Sequence, residues 1–407
     1  MSMKKTISRV LGGNAISQLI MILTTPILAR IYDISHFGEL ATVNAILLTI
    51  GVVSCFRYDQ LIFQFKNKEK WNVCVNRAFV SSLITLSFSF VIALLVYLFL
   101  PNIQFYLVLL LPVMIWMFGI SMLFSSILSI EGKYEKITNS VVIKSIAVFL
   151  FQYISYYLFE LNGLILGLFI GTLLQSSYLF LYCHGWFHFN YKWNLRFQVK
   201  NSLASTLQSL FNSTSSQIPS FFIPLKYGMD MMGVYSMALR LTYIPINFIT
   251  NALRPVVLGE FNSKKENTSE VYKILLNGSL ALIFTGIVGI LLINFFAEDF
   301  FEFYIGDSWR ISGKIASILS FWIMLGFSNI LAVCYLTVYS RFKFLLFYDG
   351  LLLVFRLGAA AISFGVGLGF FDFVKVYSVL GFLFNMSIIF ISIWFARNER
   401  NTHCYNC

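Results

Sequence analysis

Four arginines stand inside, or at the ends of, apolar stretches long enough to cross a bilayer. Arg30 closes the first stretch and Arg57 lies late in the second, about two turns from its cytoplasmic end. Arg240 sits about two turns into the eighth stretch and Arg356 midway along the eleventh. A basic side chain at membrane depth costs ~2.5–3.5 kcal/mol on insertion scales, so each is a functional hypothesis by default. A guanidinium presents its donors as a planar fork that matches phosphate oxygens. Facing one cavity, the four would make a cationic lumen for an anionic, phosphate-bearing ligand. The competing reading is snorkelling or structural pairing. It has even weight for Arg30 and Arg57, near span ends, and less for Arg356, whose depth is hard to snorkel from. Two carboxylates accompany them. Asp59 follows Arg57 by two residues, which on a helix puts the two on different faces. Asp349 precedes Arg356 by two turns on the same face. Each reads first as a structural counter-ion and second as a protonatable coupling group. No cofactor is expected, and H+ and Na+ both stay open as coupling ions.

Catalytic constellations are missing. His184 and His188 are separated by Gly-Trp-Phe, so the His-Glu-x-x-His zinc pattern fails, and nearby Tyr182, Trp186 and Tyr191 suit an interfacial belt. Cys404-Tyr-Asn-Cys407 lacks the aliphatic centre of a prenylation box and a second cysteine pair, and reads as a tail. No glycine-rich phosphate loop is present, so this chain is not expected to hydrolyse ATP. No metal site is expected.

The elements that must position these residues are membrane helices. Twelve apolar stretches begin near Val10, Leu40, Ala78, Phe105, Val141, Leu164, Leu203, Val234, Ile274, Ile315, Phe344 and Phe373. A hydrocarbon core of ~30 Å needs ~20 such residues per helix. With the N-terminus inside, the inner gaps collect Lys4, Lys5, Arg9, Lys68, Lys70, Arg77, Lys133, Lys136, Lys144, Lys200, Lys264, Lys265, Arg341, Lys343, Arg397 and Arg400, among others. The outer gaps keep only Arg30, Lys226, Arg310, Lys314 and Lys375. That is the positive-inside pattern, and an even number of spans leaves both termini cytoplasmic. The composition agrees: 58% hydrophobic, 12% charged, mean hydropathy +0.79, against roughly twice that charged fraction in soluble domains. The net charge of +11 is spread over alternate short loops rather than gathered in a patch, which argues against nucleic acid and for topology signals facing anionic lipid. Trp71, Trp116, Trp186, Trp193, Trp309 and Trp394 fall near span ends, as interface anchors would. The first stretch is too long for a signal-peptide core and reads as an uncleaved span. None of the six cysteines falls in an outer loop, so no disulfide framework is expected.

No gap is long enough for a soluble domain, so function must reside in the bundle. A weak repeat is visible: Tyr32, five residues, Gly38, and again Tyr227, five residues, Gly233, an offset of 227 − 32 = 195. Both turns follow a proline-bearing span and lie outside, which suggests a parallel repeat of six plus six helices with a site where the halves meet. The lobes are expected at 1–190 and 191–407. Pro219, Pro224, Pro245 and Pro255 are candidates for helix breaks, weighed equally against ordinary membrane proline.

Several stretches resemble the polysaccharide branch of the multidrug/oligosaccharidyl-lipid/polysaccharide (MOP) exporter superfamily, in particular O-antigen flippases of the Wzx type. Leu28-Ala-Arg-Ile-Tyr32 with Phe37-Gly-Glu-Leu40 is similar to that family's first turn. Arg57-Tyr-Asp59 resembles its Arg-Tyr-Glu element, with Asp for Glu, and Gly233-Val-Tyr-Ser-Met-Ala-Leu-Arg240 followed by Pro245 resembles its eighth-span signature. The resemblance covers nearly the whole chain through short motifs in the right order. It implies an all-α polytopic membrane protein with twelve transmembrane helices in a V-shaped bundle of two six-helix lobes. It implies translocation of an undecaprenyl-diphosphate-linked oligosaccharide across the bacterial inner membrane, with no enzymatic step. It places basic lumen residues at Arg30, Arg57 and Arg240, whereas Arg356 rests on depth alone. The implied partners are the lipid-linked oligosaccharide, membrane lipid, a polysaccharide polymerase and a chain-length regulator. The rivals are a multidrug exporter of the same superfamily, which would offer acidic residues to cationic drugs, and a membrane polymerase, which would carry a large outer loop. A major-facilitator sugar transporter would need a Gly-x-x-x-Asp-Arg-x-Gly-Arg-like loop that Gln64–Lys70 does not supply.

Overall fold

The structure, a computed structural model, describes residues 3–65, 67–99, 105–158, 163–186, 199–339 and 341–405. Among them only helices and turns occur. In unit order the helices are α1 (Met3–Ile31), α2 (Ile34–Ile50), α3 (Tyr58–Leu61), α4 (Lys68–Phe99), α5 (Phe105–Ile130), α6 (Tyr134–Leu158) and α7 (Gly163–Cys183). There follow α8 (Val199–Tyr227), α9 (Met229–Ser263), α10 (Thr268–Ile305), α11 (Arg310–Ser328), α12 (Ile330–Val338), α13 (Phe342–Val366) and α14 (Phe370–Tyr405). Nine helical stretches among the described residues are long and apolar enough to cross a membrane. The expected first, seventh and eighth spans are helical as α1, α8 and α9 but fall short of that mark. The apolar part of α1 is the shorter Ala15–Ile31, and α8 and α9 carry many Ser, Thr, Asn and Gln residues. A helix of that kind needs protein or a polar cavity, not lipid, along one face.

The chain forms two compact units, 1–221 and 222–407. The division expected after residue 190 lies within 187–198, outside the described residues. In unit 1, α6 and α7 are zipped together by glycines four apart. A Cβ at Gly163, Gly167 or Gly171 would overlap Tyr32 and Ser155, Gln152, or Val148. Without a hydrophobic drive between helices in lipid, such close backbone approach is what dispersion requires. A second core joins α3, α4, α5 and α7 through Leu61, Ile62, Val75, Leu123, Ile127 and Leu179. In unit 2, α10 and α11 use the same device. A Cβ at Gly313 would stand 2.6 Å from the Ala297 carbonyl, and Gly286 and Gly289 receive Met324. Gly381 of α14 likewise receives the Trp322 ring of α11.

The Tyr-x5-Gly repeat has a structural counterpart in each unit. The Tyr32 hydroxyl donates to the Gln152 carbonyl of α6 at 2.6 Å. The Tyr227 hydroxyl donates to the Leu368 carbonyl, just past α13, at 2.9 Å. Tyr32 follows α1 and Tyr227 ends α8, and each hydroxyl is held by a carbonyl of its own unit, one within α6 and the other just past α13.

Three expectations are corrected. The prolines of α8 and α9 do not interrupt them; both helices run unbroken. Trp309 is 1% exposed and packs inside unit 2 rather than anchoring at an interface. Lys144, assigned to an inner gap, lies ten residues into α6, about 15 Å along it. Trp193 and His188 fall outside the described residues. The four cysteines Cys55, Cys74, Cys183 and Cys334 are free and buried.

Candidate functional site

The backbone breaks after α2, without proline. Gly51–Val53 forms a single 3-10 turn, and Phe56 and Arg57 then take φ of 45° and 54°, the left-handed region. Such values are uncommon for bulky residues and cost ~1–3 kcal/mol each, so the surroundings must enforce them. They do so by occupying the carbonyls that the break frees. Arg57 Nη1 donates to the Val52 carbonyl at 3.4 Å, and the Phe56 amide to Val53 at 2.9 Å. Thr85 Oγ1 donates to Ser54 at 3.0 Å, and the Tyr58 amide to Cys55 at 3.1 Å. Ser202 Oγ, from α8 within unit 1, donates to Phe56 at 2.6 Å. The amides of Gln60 and Leu61 close on Arg57. Gly119 of α5 lets the segment approach, since a Cβ there would overlap Ser54 Oγ.

This break reverses the expected separation of Arg57 and Asp59. On a continuous helix residues two apart point away from each other. Here Arg57 Nη1 lies 3.9 Å from Asp59 Oδ2, and the side chains are 8% and 4% exposed. That distance is a charge contact beyond hydrogen-bond range. Arg57 Nε and Asp59 Oδ1 are buried with no hydrogen-bond partner among the described residues.

Two further basic residues sit inside unit 1. Lys144 Nζ of α6 lies 5.9 Å from the Phe118 ring, and that ring packs on Gly51, where the break starts. The interrupted segment thus carries Arg57 itself, and Lys144 of α6 stands behind the Phe118 ring that packs on its first residue. Arg77 of α4 donates to the Tyr58 hydroxyl at 2.9 Å and lies over its ring at 5.6 Å. The signal that could have found Lys144 was its distance from the Gly132 turn. Arg30 is exposed at the end of α1. Beside that end Tyr32, Tyr156 and Tyr157 form an edge-to-face series with centroids 5.1 and 5.2 Å apart.

In unit 2, Arg240 is half-buried on α9, within electrostatic range of Tyr304 on α10. Arg356 is 3% exposed. Its guanidinium lies 4.9 Å from the Trp322 ring of α11 and 4.5 Å from the Tyr377 ring of α14. Those rings meet edge to face at 5.2 Å, making a box that ties α13 to α11 and α14. No spacing in the sequence links these three residues. Asp349 is half-buried two turns earlier on α13. Among the described residues no group of His, Cys, Asp or Glu could hold a metal ion.

The family model described as "Polysaccharide biosynthesis protein" matches residues 27–314, well over half of the chain. The chain belongs to the polysaccharide biosynthesis protein family. No curated protein matches it. Its fold is shared with solved members of the MOP superfamily. An inward-facing multidrug resistance MATE family transporter superposes with a TM-score of 0.63 at 16% identity, covering 99% of this chain and 96% of that one. An outward-facing MATE transporter gives 0.61 at 15% identity, covering 98% and 96%. A mutant of the Vibrio cholerae MATE transporter VcmN gives 0.60 at 13% identity, covering 97% and 96%. At these identities the likeness establishes the fold. With nine apolar helices of membrane-crossing length among the described residues, this family member is a multi-pass membrane protein.

Proposed function

We propose that this protein is a flippase of the bacterial inner membrane. Its cargo is an oligosaccharide linked through a diphosphate to a polyprenyl chain, carried from the cytoplasmic to the periplasmic leaflet. The observation that carries the reading is the polysaccharide-biosynthesis match over residues 27–314, lying on a transporter fold. The intramembrane charge set supports it, because Arg57, Lys144 and Arg240 are cations at depth. A diphosphate compensates such charges, whereas a cationic drug would not. The sugar passes along the polar faces of α8 and α9, the distal part of the polyprenyl chain stays in lipid, and access alternates between the two sides. Both termini are cytoplasmic in a twelve-span topology. Arg30 meets the head group at the outer end. Asp59, released when the diphosphate engages Arg57, takes up a proton and couples the cycle to the H+ gradient. Every carbonyl from Val52 to Arg57 is already occupied, which disfavours Na+ there. Asp349 is a second, weaker candidate.

The test is deletion of the gene and complementation. Loss of surface polysaccharide, with lipid-linked oligosaccharide accumulating on the cytoplasmic side, is expected, and Arg240→Gln should fail to restore export at normal protein level. A deletion strain with intact polysaccharide and raised sensitivity to cationic drugs would replace this reading with drug export.

A further inference from the structure

The helix pairs that close the two units are built differently. In unit 1, α6 and α7 meet through Gly163, Gly167 and Gly171, each with no room for a Cβ. In unit 2 the pair at matching order, α13 and α14, has no such zipper. Gly358 and Gly365 of α13 face open space, with nothing within 4 Å of an added Cβ. The result is a groove of about 370 Å³, lined by Val354, Phe355, Ala359, Ile362, Val376 and Leu380, among others. Its volume is within the ~300–1,000 Å³ of small-molecule sites. Its lining is apolar, and Arg356 points from the other face of α13 into its aromatic box.

One end of the groove is charged. The end of α8 folds onto the α13–α14 turn: Lys226 Nζ donates to the Ser363 carbonyl, and Tyr227 holds Leu368. Ser363 and Leu368 both line the groove. The Lys226 ammonium stands 5.8, 5.3 and 5.6 Å from the rings of Phe222, Tyr227 and Phe364. Among the described residues no carboxylate pairs with it. Lys314 lies 4.9 Å over Phe371 on the same turn, and Lys375 sits there with Asp372 at 3.1 Å. Outer gaps in this chain are poor in basic residues, yet three of the five outer ones gather at this turn. The fourth in unit 2, Arg310, is consumed by Glu298 and Glu302. A positive-inside topology gives no reason for such a cluster. An anionic head group at the mouth of a hydrocarbon groove does.

We propose that the α13–α14 groove holds the head-proximal isoprene units of the polyprenyl diphosphate on the outer-leaflet side, with Lys226 and its neighbours facing the diphosphate. This rests on the function proposed above and adds where the lipid chain docks. Gly358 offers a clean perturbation. A Cβ there meets nothing within 4 Å and a leucine raises helix propensity, so the variant narrows the groove, and its unfolding midpoint is measured beside the labelling. Gly365→Leu, where an added Cβ also meets nothing within 4 Å and which lies outside the lining, is the control.

The experiment uses full-length protein in phosphatidylcholine vesicles. The probe is undecaprenyl diphosphate carrying a diazirine near its head. Crosslinks should map to 354–380 and be removed by unlabelled undecaprenyl diphosphate but not by equal phosphatidylglycerol. Gly358→Leu should cut them about tenfold, the loss of one good pocket contact. Lys226→Gln should cut them several-fold, and Gly365→Leu should leave them unchanged. Absence of labelling at 354–380, removal by phosphatidylglycerol alone, or normal labelling in Gly358→Leu overturns the groove. Export is scored in parallel. Wild-type export by Gly358→Leu overturns the groove while the flippase reading stands, whereas a deletion strain that keeps its polysaccharide overturns the flippase reading itself.

Discussion

The buried pair at the break gives the sharpest test of the physical reasoning. Arg57 and Asp59 are 3.9 Å apart and almost wholly enclosed. Unit charges at that distance attract by ~4 kcal/mol at an effective dielectric of about 20. Removing one partner strands the other in a low-dielectric site, at ~3–5 kcal/mol. Both side chains already have a buried atom without a hydrogen bond, so neither has spare partners to fall back on. Arg57→Gln and Asp59→Asn should each destabilise unit 1 by about 3 kcal/mol. For a unit the size of residues 1–221, each kcal/mol moves the unfolding midpoint by roughly 2–4 °C, giving roughly 6–12 °C per single variant. The double variant has no charge to strand and should fall no further than the milder single one. The assay is a double-mutant cycle of thermal unfolding in one detergent, followed by size exclusion. Additivity within about 0.5 kcal/mol would mean the two charges do not interact. The reading of Arg57 and Asp59 as a buried charge pair brought together by the break would then be wrong.

Other consequences are smaller in scope. Ser202→Ala removes the donor to the Phe56 carbonyl, which should cost about 1–3 kcal/mol for an unsatisfied buried acceptor, read as a lower unfolding midpoint. Arg356→Gln loses contact with both rings of its box and should lower unit 2 stability by about 2–4 kcal/mol, at ~2 kcal/mol per desolvated cation–π contact. Arg356→Lys should recover part of that, and a Lys variant no better than Gln would argue against the box. Cysteines introduced at Lys265 and Asp230 should be labelled only from the cytoplasm and only from the periplasm, respectively, by an impermeant maleimide on intact cells. Outside labelling at 265 would break the topology.

How much was legible follows from where each kind of information lies. Hydropathy depends on each residue's own free energy in lipid or water, so a helical multi-pass membrane protein can be read without any contact. The family was legible for a similar reason, since Arg57-Tyr-Asp59 and Gly233–Arg240 are contiguous. The Tyr-x5-Gly turns are legible because both lie in short local segments, whereas the acceptors of their tyrosine hydroxyls, at Gln152 and Leu368, are distant in sequence. Nine of the twelve expected spans are plainly apolar among the described residues, because α8 and α9 carry polar residues that a running average dilutes but does not erase. In the sequence the prolines are candidates for helix breaks, weighed equally against ordinary membrane proline, and the break stands at Phe56 and Arg57 instead. Proline marks only a lost donor, whereas this break exists because Ser202, Thr85 and Gly119, distant in sequence, supply hydrogen bonds and room. The same holds for Arg356. The sequence by itself determined that a cation sits at mid-membrane depth. Only tertiary structure decided that Trp322 and Tyr377 enclose it, because ring and guanidinium come from three helices whose register is set by packing, not by spacing along the chain.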